Sequence, residues 1–141
     1  MEAKDLMIGD WVLHDREPYQ IRQLGIYGVD RDGEDYPAVC VGKPKGVGLI
    51  VEINEIEPIS LTQEILEKNG WVYNNDDEKF FPQTWVGGGL KLQGADDGSY
   101  RIVATSDYDD EDTNDTPFII LYVHELQHAL MLRRIKKEII L

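Results

Sequence analysis

The chain has 141 residues, of which 42% are hydrophobic and 29% charged, and its formal net charge is −13. This is the ordinary size and composition of one globular domain able to bury a core, which excludes a disordered chain and removes any need for a disulfide or metal staple. The acidity disfavours phosphate backbones, and no apolar run approaches the ~20 residues that cross a bilayer, so the expectation is a protein neither membrane-embedded nor bound to nucleic acid.

The single cysteine, Cys40, lies inside the apolar run Ala38-Val39-Cys40-Val41. It reads as a small buried hydrophobe rather than a nucleophile. With no disulfide framework and no apolar leader at the N-terminus, the expected compartment is the cytoplasm. Charge is uneven along the chain. Residues 1–70 carry −7, residues 71–117 carry −8 and residues 118–141 carry +2.

The first sixty residues alternate short strands with turn signals. Trp11 to His14, Tyr19 to Leu24, Tyr36 to Val41, Gly48 to Glu52 and Ile56 to Ile59 read as strands. Asp15 to Pro18, Asp30 to Gly33 and Gly42 to Gly46 read as turns. Five short strands predict a small antiparallel barrel or rolled sheet. The Gly9-Asp10-Trp11-Val12 entry resembles the opening of SH3-like barrels.

Ser60 to Gly70 predicts a helix, with a Ser or Thr N-cap, an acid in the first turn and Gly70 just past its end. Strands return at Trp71–Tyr73, Lys79–Phe81, Gly89–Leu92 and Tyr100–Ala104, with hairpin turns at Asn74–Asp77 and Ala95–Gly98. Asp107 to Pro117 is a polar loop. Phe118 to about Tyr122 starts as a strand, a helix runs on to about Arg134, and Ile135 to Leu141 is a last strand or docked tail. The predicted fold is therefore α+β: an SH3-like subdomain over 1–59 packed against a helix–β-meander–helix subdomain over 60–141. No Pro/Gly/Ser-rich linker separates the two, so one cooperative unit is expected.

His124-Glu125-Leu126-Gln127-His128 matches H-E-x-x-H, in which two histidines one helical turn apart hold Zn²⁺ while the Glu polarises a bound water. It defines the alternative reading, a zinc-dependent hydrolase with His124 and His128 as metal ligands and Glu125 as catalytic base. Three features oppose it. The extended motif requires Gly at 131 and His at 134, where the chain has Met131 and Arg134. After His128 the sole side-chain carboxylate is Glu138. A helical wheel puts Tyr122, Val123, Leu126, Ala129 and Leu130 on one face and the two histidines on the other, predicting a solvent-facing pair. The remaining histidine, His14, lies in the N-terminal strands.

Two other stretches resemble ligand loops in composition alone. Asp107 to Asp115 is rich in carboxylates, but an EF-hand loop starting there needs Gly at 112 and Glu at 118, where Asp112 and Phe118 stand. Gly87-Gly88-Gly89 lacks the Lys-Ser/Thr of a phosphate loop and reads as a turn before a strand. The expectation is no catalytic residue, no metal and no cofactor.

Asp5 to Val12, Ile56 to Trp71 and Tyr122 to Gln127 together resemble a group of small uncharacterised phage and mobile-element proteins of gut Bacteroides-like bacteria. The resemblance implies a context rather than a reaction, and a group in which Asn often replaces the residue at His128. The function expected is that of a non-enzymatic accessory protein that binds another protein through its acidic surface or exposed sheet. A third reading is an acidic DNA mimic that inhibits a nucleic-acid enzyme.

Overall fold

The computed structural model describes residues 2–73, 84–87, 89–103 and 119–141. The fold is mixed α+β, with two five-stranded antiparallel sheets and two short α-helices among the described residues. The chain divides into two compact units, Met1–Ile59 and Ser60–Leu141. No helix among the described residues is long and apolar enough to cross a membrane. The predicted Lys79–Phe81 strand, the Asn74–Asp77 turn, the Asp107–Asp115 loop and Phe118 lie outside the described residues.

In the first unit a tight turn leads into β1 (Trp11–His14). The Asp10 carboxylate accepts the Met7 N–H at 2.7 Å, holding the turn closed, and Asp10 is buried. Asp15 and Arg16, both at positive φ, form the two-residue turn into β2 (Glu17–Val29). β2 pairs with β3 (Asp35–Gly42), which pairs with β4 (Leu49–Glu52). A 3₁₀ turn at Ile53–Glu55 then delivers β5 (Ile56–Pro58) to the far side of β1. The sheet order is β4-β3-β2-β1-β5. Val12, Ile21, Val39, Val41, Val51, Ile53 and Ile56 form its core with Leu6.

β2 is far longer than the alternation over Tyr19–Leu24 predicts. Gly25 and Gly28 would ordinarily end a strand. Here the register with β3 slips between Ile21 and Ile26, and Gly25 takes φ +70° at the slip. The strand thus bends by bulging and continues. At Gly28 a Cβ would lie 2.2 Å from the ring of Tyr36, its cross-strand partner, so the missing side chain is the seat of an aromatic ring. Cys40 is half-buried rather than buried, with Gly48 close beneath its Sγ.

The second unit opens with Ser60 bridged to Tyr122 and the Leu61 N–H bonded to the Leu121 carbonyl. Helix α1 (Gln63–Lys68) is capped by Thr62, whose hydroxyl accepts the Ile65 N–H at 3.3 Å. It ends in a Schellman turn: Gly70 sits at φ +90°, Gly70 N–H bonds Glu67 O, and Trp71 N–H bonds Leu66 O. Strands β6 (Val72–Tyr73), β7 (Thr84–Gly87), β8 (Leu90–Gly94), β9 (Tyr100–Val103) and β10 (Ile119–Ile120) then pair in sequence order. β7 is absent from the sequence-based reading, because Gly87-Gly88-Gly89 masks a strand that ends on the first of them. A Cβ on Gly87 would stand 2.9 Å from Gly70 O and from Trp71 Cα, so this is a close backbone approach.

Helix α2 (Val123–Leu132) ends two residues before Arg134 in a second Schellman turn, with Ile135 N–H bonded to Leu130 O. Arg134 itself occupies the left-handed position, at φ +59°. The tail beyond forms no strand. It docks on the end of α1, where the buried Asn69 side chain donates to Ile65 O at 2.8 Å and to Ile140 O at 2.7 Å. The same amide accepts the Ile140 N–H at 2.7 Å. Ile139 is buried, and the Lys137 ammonium lies 5.2 Å from the centre of the Trp71 ring.

Two predictions follow from these ends. Replacing Asn69 with Ala leaves the part-buried Ile140 N–H and carbonyl without this partner and should lower unfolding stability by about 1–2 kcal/mol. Denaturant titration measures the loss, and faster hydrogen exchange at the Ile140 amide locates it. Arg134→Gly removes a left-handed strain and should raise stability by about 0.5–1 kcal/mol in thermal unfolding.

Candidate functional site

The H-E-x-x-H segment forms the first turns of α2. Its geometry is that of a helix start. The Glu125 carboxylate accepts the N–H of Tyr122 at 3.0 Å and that of Leu121 at 3.1 Å. It thereby satisfies donors that a helix N-terminus leaves orphaned, and its negative charge suits the positive end of the helix dipole. The acid in the catalytic position of the motif is thus a capping residue.

The histidines do not form the solvent-facing pair that the helical wheel predicts. His124 is buried, only 6% exposed, and His128 is half-buried beside a half-buried Gln127. The wheel assumes one packed face, whereas this helix is covered on its polar side as well. The Tyr122 ring stacks on His124 with centroids 5.8 Å apart and planes within 9°. His128 meets His124 edge-on at 5.6 Å. The three rings thus follow one another down one side of the helix, the first pair stacked and the second edge-on.

His14, the remaining histidine, belongs to β1 of the first unit, 3.5 Å from the Asp15 carboxylate and edge-on to Tyr19. Among the described residues no three His, Cys, Asp or Glu side chains gather at metal-binding spacing. Gly87 ends β7, and Gly89 turns at φ +80°, so the two described glycines of that run serve packing and chain reversal. Asp107–Asp115 lies outside the described residues.

A different feature stands out in the first unit. The β2–β3 hairpin ends in Asp30-Arg31-Asp32-Gly33-Glu34-Asp35, all exposed. Asp30 organises this tip: its carboxylate accepts the N–H groups of Asp32 and Glu34, each at 2.9 Å, and its own N–H bonds Glu34 O. On the adjoining arm Tyr27 and Val29 are 72% and 64% exposed. Three carboxylates, of Asp32, Glu34 and Asp35, are thus held beside two apolar side chains on an ordered hairpin. The sequence showed this segment only as a turn. The available signal was the density of acids in the turn together with Tyr27 and Val29 flanking it.

Truncation separates the structural role of the H-E-x-x-H segment from a metal role. Glu125→Ala should cost about 1 kcal/mol of stability as a lost cap. His124→Ala should cost about 1–3 kcal/mol because it empties a buried, ring-packed position. Chelator should leave the wild-type melting curve unmoved. A curve that falls on chelation would make the histidine pair a metal site, since metal affinity is then folding energy.

No family model, no curated protein and no solved structure matches this chain.

Proposed function

We propose that this chain is a non-enzymatic accessory protein, of phage or mobile-element origin and cytoplasmic, that binds a basic protein partner. The observation that carries the reading is the tip of the β2–β3 hairpin, where exposed carboxylates and an exposed aromatic share one ordered surface. Acidic groups at an interface steer a basic partner and select against acidic ones, while exposed aromatic and β-branched side chains supply apolar contact area. Arg31 in the middle of the tip offers the partner one set of N–H donors among the acids.

The order of strands supports an SH3-like roll for residues 1–59. A meander β1-β2-β3-β4, a 3₁₀ turn, and a last strand returning beside β1 suit that architecture. Residues 60–141 fit a helix–β-meander–helix unit in the sequence of their elements. Neither architecture specifies a function by itself, and the hairpin surface is what narrows it. Glu125 as a helix cap weighs against the zinc-hydrolase alternative, because two main-chain N–H groups on its Oε1 stabilise the carboxylate and make it a weaker base toward water.

The test is affinity capture from host lysate with the intact chain, washed at low and then high salt. A basic partner should elute with salt, because exposed charge pairs are screened. The triple variant Asp32→Asn, Glu34→Gln, Asp35→Asn should weaken capture roughly tenfold or more, and Tyr27→Ala should weaken it without changing its salt dependence. Capture indifferent to salt and to all four substitutions would overturn the proposal. Capture of a nucleic-acid enzyme, competed by DNA, would favour the DNA-mimic reading instead.

A further inference from the structure

Residues 135–141 alternate in burial with the period of an extended chain. Ile135, Lys137, Ile139 and Leu141 are buried or half-buried, while Lys136, Glu138 and Ile140 are exposed. The inward set meets a row of sites along the second unit. A Cβ on Gly89 would lie 3.3 Å from Ile135 Cδ1, so that glycine leaves room for the side chain. The Lys137 ammonium lies 5.2 Å from the centre of the buried Trp71 ring, and a Cβ on Gly70 would stand 3.6 Å from it. Ile139 is 4% exposed, and the Lys68 ammonium donates to the Leu141 carbonyl.

Asn69 adds a contact of another kind. Its amide donates to Ile140 O and accepts from Ile140 N–H, each at 2.7 Å, while the Ile140 side chain is 60% exposed. The amide therefore reads main chain and ignores the side chain attached to it. Polar groups that hold a main chain, with sites for alternate side chains, are the elements by which proteins recognise extended peptides. The sequence preference set here is Ile135-x-Lys137-x-Ile139.

The attachment of this segment favours release. Residues 135–141 belong to no helix or strand, so their departure breaks no ladder. Arg134, at the joint, is held at φ +59°, which costs a residue with a side chain and is relieved when the joint opens. We propose that the groove along Gly89, Trp71 and Asn69 is an exchangeable peptide-binding site. Residues 135–141 are its resting occupant, and an extended segment of a partner protein, with Lys two positions before Ile, displaces them. The resting strap is a built-in competitor, which lowers the partner's apparent affinity by the fraction of molecules in which the groove is filled. This site lies in the second unit and does not depend on the hairpin surface of the first.

A fluorescein-labelled peptide with the sequence of residues 133–141, titrated with the intact chain and followed by anisotropy, tests the proposal. Ile139→Asp in the intact chain releases the strap and should bind the probe roughly tenfold or more tighter than wild type, since the competitor at high effective concentration is gone. Adding Asn69→Ala to that variant should weaken binding roughly tenfold, and a probe carrying Ile139→Asp should not bind. Hydrogen exchange reads the same event without any substitution. In the wild type the Ile140 amide should exchange faster than that of Leu130 inside α2, and faster still under excess probe. A folded Ile139→Asp chain that binds the probe no better than wild type would overturn the proposal. So would an Ile140 amide as protected as Leu130 or indifferent to the probe, and this second reading decides alone if Ile139→Asp loses its far-UV circular dichroism.

Discussion

The side-chain amide of Asn69 joins segments seventy-one residues apart in sequence, through two bonds given and one received. An amide can do this because it carries donors and an acceptor on one rigid plane. Its position is set by the end of α1, where Thr62 starts the helix and Gly70 reverses the chain. The part-buried main-chain groups of Ile140 in the docked tail have no ladder to satisfy them, so the amide stands in for a strand. The tail then seals the unit with Ile139, and Lys137 lies over Trp71. A short helix, a turn glycine and one buried Asn thus hold the last residues of the chain in place.

Much of this local grammar is legible in the sequence. The ends of α1, the Asp15-Arg16 reversal, the turn at Ala95–Gly98 and most of the strands follow from patterns within ten residues of one another. What was hidden depends on distant partners. β2 runs through Gly25 and Gly28 because β3 tolerates a register slip and because Tyr36 occupies the space a side chain would take. β7 ends at a glycine that packing requires, so a run resembling a loop contains a strand. His124 is buried although the helical periodicity places it on the polar face, since periodicity describes one packed side and cannot count how many sides are covered.

The H-E-x-x-H segment shows how one pattern serves two physical ends. A carboxylate three residues into a helix is a capping acid by position, whatever histidines surround it. Here the Glu125 bonds to Leu121 and Tyr122 supply that role, while His124 stacks on Tyr122 and His128 meets His124 edge-on. Function in this chain is better sought where side chains are held but not consumed. The β2–β3 tip, acidic and ordered, is such a place.

The close approach of Gly87 to Gly70 and Trp71 has an evolutionary consequence. Any side chain at position 87 would have to displace main chain, whereas the Trp71 ring needs that vacancy to lie where it does. Position 87 is therefore held as glycine chiefly by main chain, and the ring of Trp71 adds to that constraint. Distant descendants of a common ancestor, too diverged for ordinary similarity to register, would still share a Gly-Trp pair at a helix end followed by a glycine sixteen positions after the Trp. Such a spaced signature is a better probe for lost kin than the histidine motif, because a cap can be rebuilt from many residues and an absent side chain only from one.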